Sequence, residues 1–146
     1  IMLNFFKNLK PKKLENEQNN ELLTKTASLL IHAAKIDHEF TDKERRIIKK
    51  AIIDLGGNIS TIDKLIVEAE INEKNSNQIL SFTKEVKNTN HEFKTKIIEV
   101  LWKIIYSNNE ADIYEANLMS RLSGLLYIDS KVMAEIKEKV KKNFSK

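Results

Sequence analysis

At 146 residues, 41% of them hydrophobic, the chain is long enough to bury a core of its own as one domain. Three glycines and one proline are too few breakers for a turn-rich β fold, and the absence of cysteine excludes disulfides and thiolate chemistry. The net charge of +4 is unevenly placed, with four lysines and no acid in residues 1–13, and six lysines with two glutamates in residues 131–146. The body between these basic ends is mildly acidic, without arginine-rich patches or interleaved aromatics, so nucleic acid is not the expected partner.

Residues 1–10 set Ile1, Met2, Leu3, Phe5, Phe6 and Leu9 against Asn4, Lys7, Asn8 and Lys10. That pattern predicts a short amphipathic helix, which either docks on a protein surface or lies on an anionic bilayer. The start lacks the long apolar run and small-residue cleavage site of a secretory signal. Pro11 ends the helix, and residues 12–20 read as a solvated linker. The expected division is therefore an N-terminal segment and linker over 1–20, then one helical domain over 21–146.

Leu22, Leu23, Thr26, Leu29, Leu30 and Ala33 follow helical spacing, which predicts a helix over about 21–36. Thr41 with Glu44 forms a capping box for a second helix, whose inner face is Ile47, Ile48, Ala51, Ile52 and Leu55. Gly56-Gly57 stops it. Ser60 with Asp63 caps a third, with Ile62, Leu65, Ile66 and Ala69 inside. Asn75 with Gln78 starts another, carrying Ile79, Phe82 and Val86. Thr89 with Glu92 caps a long helix that is apolar on nearly every side from Ile97 to Tyr106, which places it in the middle of a bundle. Asp112 with Glu115 opens the next, and Leu118, Leu122, Leu125 and Leu126 face inward. Ser130 starts the last, with Met133, Ile136, Val140 and Phe144 apolar. The fold class is all-α, a single-domain bundle of seven or eight helices.

Two stretches repeat at a spacing of 71 residues: LLIHAAKIDHEFTDKERRII and VLWKIIYSNNEADIYEANLM. Each is an apolar helix, an acidic loop and a capped helix. The candidate metal ligands are Asp37, Glu39 and Glu44 in the first unit and Glu110, Asp112 and Glu115 in the second. Carboxylates clustered on short loops suit hard cations such as calcium or magnesium, and His38 adds a nitrogen that suits zinc. An EF-hand is excluded, because Ile48 and Met119 stand where the twelfth-position carboxylate belongs and Asp42 and Ile113 where the glycine belongs. The same residues also have a purely structural reading. Thr41/Glu44 and Asp112/Glu115 cap helices, while Asp37 and Asn108 accept hydrogen bonds from loop amides. No H-E-x-x-H, glycine-rich phosphate loop or G-x-S-x-G occurs, so no enzymatic activity is expected.

The two units together resemble the tellurite-resistance TerB family, over roughly Leu22 to Val132. The second copy, LWKIIYSNNEADIYEANLMSRLSGLLYI, carries the family's pattern most fully. The Asp-Gly of that pattern is Asp37-His38 in the first copy and Asn108-Asn109 in the second, so each glycine is lost, and one carboxylate with it. The resemblance implies an interaction module whose acidic loops form a metal-responsive or partner-docking surface. The expected protein is cytoplasmic and non-enzymatic, using those loops to bind a divalent cation or a basic protein partner. Two rivals stand beside it. One is an adaptor at the inner membrane surface, held through residues 1–13, with purely structural loops; the other is a hydrolase with a carboxylate-bound metal.

Overall fold

The computed structural model of the chain describes residues 19–36, 39–76, 79–107 and 113–144, the side chains of 113–116 excepted. Among these are seven helices and no strand: α1 (residues 19–34), α2 (Asp42–Asp54), α3 (Ile62–Asn75), α4 (Ile79–Val86), α5 (His91–Ser107), α6 (Ile113–Leu125) and α7 (Ser130–Phe144). The all-α expectation holds. The amphipathic segment over 1–10 and its linker lie outside the described residues. Among the described residues, no helix is long and apolar enough to cross a membrane.

α5 is the axis of the bundle. Ile97, Ile98, Val100, Leu101, Trp102, Ile104 and Ile105 are all buried, as a helix apolar on most sides requires. α7 packs along one side of it and α2 along another. α1 is enclosed to a similar degree. Its spacing marks a single stripe, yet every residue from Thr26 to Ile31 is buried. Ser28 is tolerated inside because its Oγ lies 3.0 Å from the Thr24 carbonyl oxygen and 3.1 Å from that of Ala69 in α3. α1 also meets α4, where Lys25 Nζ donates to Glu85 Oε1 at 2.7 Å and the His32 ring lies 6.5 Å from that of Phe82.

The helix starts are set by local chemistry, in three cases by a neighbour of the residue that spacing suggests. α5 is capped by Asn90, whose Oδ1 accepts from Phe93 N at 2.8 Å. The neighbouring Thr89 hydroxyl instead donates to Val86 O at the end of α4. α3 starts after Thr61, and Ser60 is held by Asn58 Oδ1 in a side-chain turn. Asn75 is the last residue of α3, while Gln78 lies outside the described residues. Asp129 caps α7 by accepting from Lys131 N, which makes Ser130 the first helical residue.

α2 and α6 end in one motif, at positions 71 apart. Gly57 N donates to Ile52 O at 2.8 Å and Gly56 N to Ile53 O, with Gly56 at φ +116°. Ile128 N donates to Ser123 O at 3.0 Å and Tyr127 N to Gly124 O, with Tyr127 at φ 56°. Both are Schellman ends, but the second puts an aromatic residue where the first has glycine. Tyr127 is 73% exposed, so its ring contributes little packing against the cost of the left-handed backbone. Tyr127→Gly is therefore expected to stabilise the protein by about 1 kcal/mol, or roughly 3 °C in melting temperature, by thermal denaturation.

On the α5–α7 side, Trp102 stacks on Tyr106 at 5.9 Å and Tyr106 lies 6.4 Å from Phe144. Burial, helped by the charge of Glu138, pushes the Tyr106 phenol above its ordinary value of 10.0. The folded state thus favours the protonated phenol, whose contribution is complete below the unfolded value and is lost as pH rises through the folded one. The Lys25–Glu85 hydrogen bond raises the Lys25 ammonium and acts in the same direction. Stability should fall above about pH 10, and Tyr106→Phe should make that fall shallower in melts at successive pH values.

Candidate functional site

The first acidic loop joins α1 to α2, and both of its anchored ends are tied to α3. At the α1 end, Lys35 Nζ donates to Glu73 Oε2 at 2.6 Å, and His32 Nδ1 lies 3.4 Å from Glu73 Oε1. Glu73 is only 8% exposed, so its carboxylate is held where water cannot replace these partners. Lys35 is also a cation at a helix C-terminus, where the backbone dipole favours it.

At the α2 end, the Thr41/Glu44 capping box is complete. Glu44 N donates to Thr41 Oγ1 at 3.1 Å, and Thr41 N and Oγ1 both donate to Glu44 Oε1 at 2.9 Å. Glu44 has no exposed surface. Its Oε1 is held in the box beneath the loop. The next residue, Arg45, makes a two-pronged contact with Glu70 of α3, at 3.2 and 2.6 Å. The guanidinium carbon lies 4.9 Å from the centroid of Phe40, the apolar residue of the loop. The Glu70 hydrogen bond raises Arg45 still further above its ordinary range, so this clamp stays charged.

The second acidic loop begins where α5 ends. Ser107 is buried, its hydroxyl donates to Ile104 O at 2.6 Å, and its carbonyl accepts from Lys43 Nζ of α2 at 3.2 Å. The helix end that leads into the second loop is thereby fixed against the helix that follows the first. The two units meet at one end of the bundle.

Of the predicted ligands, Glu39 is exposed at the surface and Glu44 is enclosed in its cap. Asp37, His38, Asn108, Asn109, Glu110 and Asp112, and the side chain of Glu115, lie outside the described residues. Among the described residues, no three His, Asp or Glu side chains come together as a metal-holding group. Sequence spacing overlooks Glu70 and Glu73. Ile62, Ile66 and Ala69 mark the inner stripe of α3, and the next position on that stripe is Glu73. A carboxylate on an apolar stripe is the signal that locates it. His32 is half-buried against Phe82 and Glu73, as a mid-helix core histidine would be.

The profile of the family described as Tellurite resistance protein TerB matches residues 23–138. The chain belongs to the TerB family. The match runs from α1 into α7 and takes in both helix–loop–helix units of this TerB chain. No curated protein and no solved structure matches it.

Proposed function

We propose that this TerB-family chain is a non-enzymatic binding module that takes a divalent cation on its first acidic loop, with the second loop as a further, weaker site. Asp37 and Glu39 are the charged oxygen donors of the first loop, and His38 is an added nitrogen donor. Glu110, Asp112 and Glu115 are the corresponding acids of the second. A basic protein partner is the alternative occupant of the same acidic surface. The absence of cysteine suits a reducing compartment such as the cytoplasm.

One observation carries the reading: the first loop is anchored at both ends to a single helix, through Lys35–Glu73 and Arg45–Glu70. Loop ends held before a ligand arrives leave less conformational freedom to lose on binding, so more of the interaction energy is kept as affinity. A carboxylate also attracts a cation through a full charge, which an amide lacks. The first loop, with Asp37, should therefore bind more tightly than the second, which has Asn108 at the matching position.

Isothermal titration with calcium, magnesium and zinc chlorides should detect one dominant site. Asp37→Asn should weaken it by about tenfold, and Asn108→Asp should strengthen a second site. If Asp37→Asn leaves binding unchanged and lowers the melting temperature, Asp37 is a loop acceptor and the cation reading fails.

A further inference from the structure

The Schellman end of α6 carries an aromatic residue that the acidic loops leave unexplained. Tyr127 stands at φ 56°, where the matching position in the first unit is Gly56, and it is 73% exposed. A left-handed backbone under a large side chain that packs little inside is a cost without a structural return. The turn that presents the ring is nonetheless held firmly. Lys94 Nζ donates to Leu126 O at 3.0 Å, and Ser123 Oγ donates to Ile128 O at 2.8 Å. Tyr127 borders a depression of about 300 Å³ between α4 and the α6–α7 turn, with Leu80 and Leu125 as its other large apolar residues. Leu80 is itself 51% exposed. Lys84 and Lys87 are the charged residues of the lining, and among the described residues neither takes part in an ion pair. Glu85, between them in sequence, is drawn instead to Lys25 at 2.7 Å, and Asp129 beyond the turn is spent on capping α7.

An exposed apolar patch with a polar rim marks an interaction surface, and this rim is positive. We infer that the depression docks an acidic segment of a partner protein. An apolar side chain of that segment lies between Leu80, Leu125 and Tyr127, and its carboxylates face Lys84 and Lys87. Tyr127 is the anchor, because a tyrosine offers a large contact area on few rotatable bonds and its backbone is fixed in advance. Charge sets the other occupants aside. Two copies of the chain paired through this patch would bring lysine against lysine. The apolar segment at residues 1–10 sits within a stretch of four lysines and no acid, so the same rim repels it. A planar lipid surface would meet the rim but leave the depression unfilled. The patch lies at the far end of α6 from the second acidic loop, so it is a site apart from those loops.

The probe is the acidic peptide EEDLFEELLDEE. Its controls are QQNLFQQLLNQQ, which removes the charge, and EEDSSEESSDEE, which removes the apolar side chains. Titrated into the full chain labelled with nitrogen-15, the acidic peptide should shift the amides of residues 80–87 and 123–128 saturably. Each control should bind at least about tenfold more weakly. Tyr127→Gly should weaken the peptide about tenfold while raising the melting temperature, a split that damage to the fold would not produce. Lys84→Gln combined with Lys87→Gln should weaken it about tenfold and flatten its dependence on salt. The inference is overturned if millimolar acidic peptide shifts none of these amides, if the uncharged peptide binds as tightly, or if Tyr127→Gly binds like the unaltered protein. It is equally overturned if vesicles of phosphatidylcholine and phosphatidylserine shift these amides and the peptide does not, which would assign the patch to a lipid surface. Self-association of the free chain that Tyr127→Gly abolishes, read by sedimentation, would assign it to a second copy and overturn the inference too.

Discussion

Trp102→Ala is expected to lower stability by about 3–5 kcal/mol, the cost of deleting a large aromatic side chain from a packed core. The indole is 5% exposed at the centre of α5, stacks on Tyr106 and lies beneath Lys137, so three sets of contacts disappear at once. Neighbouring helices are fixed by Ile98, Leu101 and Ile105, which are themselves buried, so the site has little freedom to collapse. Urea denaturation followed by circular dichroism would measure the loss. A change below about 1 kcal/mol would mean that the α5–α7 contact is loose and that the described core is wrong there.

The second large effect belongs to Glu44. Glu44→Ala should cost about 2–3 kcal/mol, combining a lost reciprocal cap with the exposure of a void where two buried methylenes were. Glu44→Gln keeps one acceptor oxygen for the Thr41 amide and should cost about 1 kcal/mol or less. The pair of variants separates two roles. If Glu44 is the loop's support, Glu44→Gln should retain cation affinity almost in full. If Glu44 were itself a ligand, the lost charge would weaken binding about as much as Asp37→Asn does.

Features that depend on a few adjacent residues were legible in the sequence. Thr41 and Glu44 form their box because both partners lie within one turn, and Gly56 ends α2 because few other residues accept a positive φ. The centrality of α5 followed from its lack of a polar face. The cap at Asn90 is missed for a related reason. Thr89 and Asn90 are both competent caps, and the choice between them is made by Val86, whose carbonyl at the end of α4 takes the Thr89 hydroxyl. The repeat unit pointed to the first loop, but what holds that loop is non-local. Arg45–Glu70 and Lys35–Glu73 join residues 25 and 38 positions apart, and no periodicity within one helix encodes such a pairing. Glu73 also hides behind the rule that apolar stripes are apolar, since here a carboxylate ends the stripe.

The most direct test of the account is a nitrogen-15 NMR titration of the full chain with calcium chloride. The anchored first loop predicts saturable shifts confined to the amides of residues 36–44 and those flanking the second loop at 107 and 113–117, with α4 and α7 unmoved. The shifts at 36–44 should saturate first, and Asp37→Asn should reduce them. If calcium leaves those amides unmoved, or moves them only in step with the rest of the chain, the acidic loops are helix caps and nothing more.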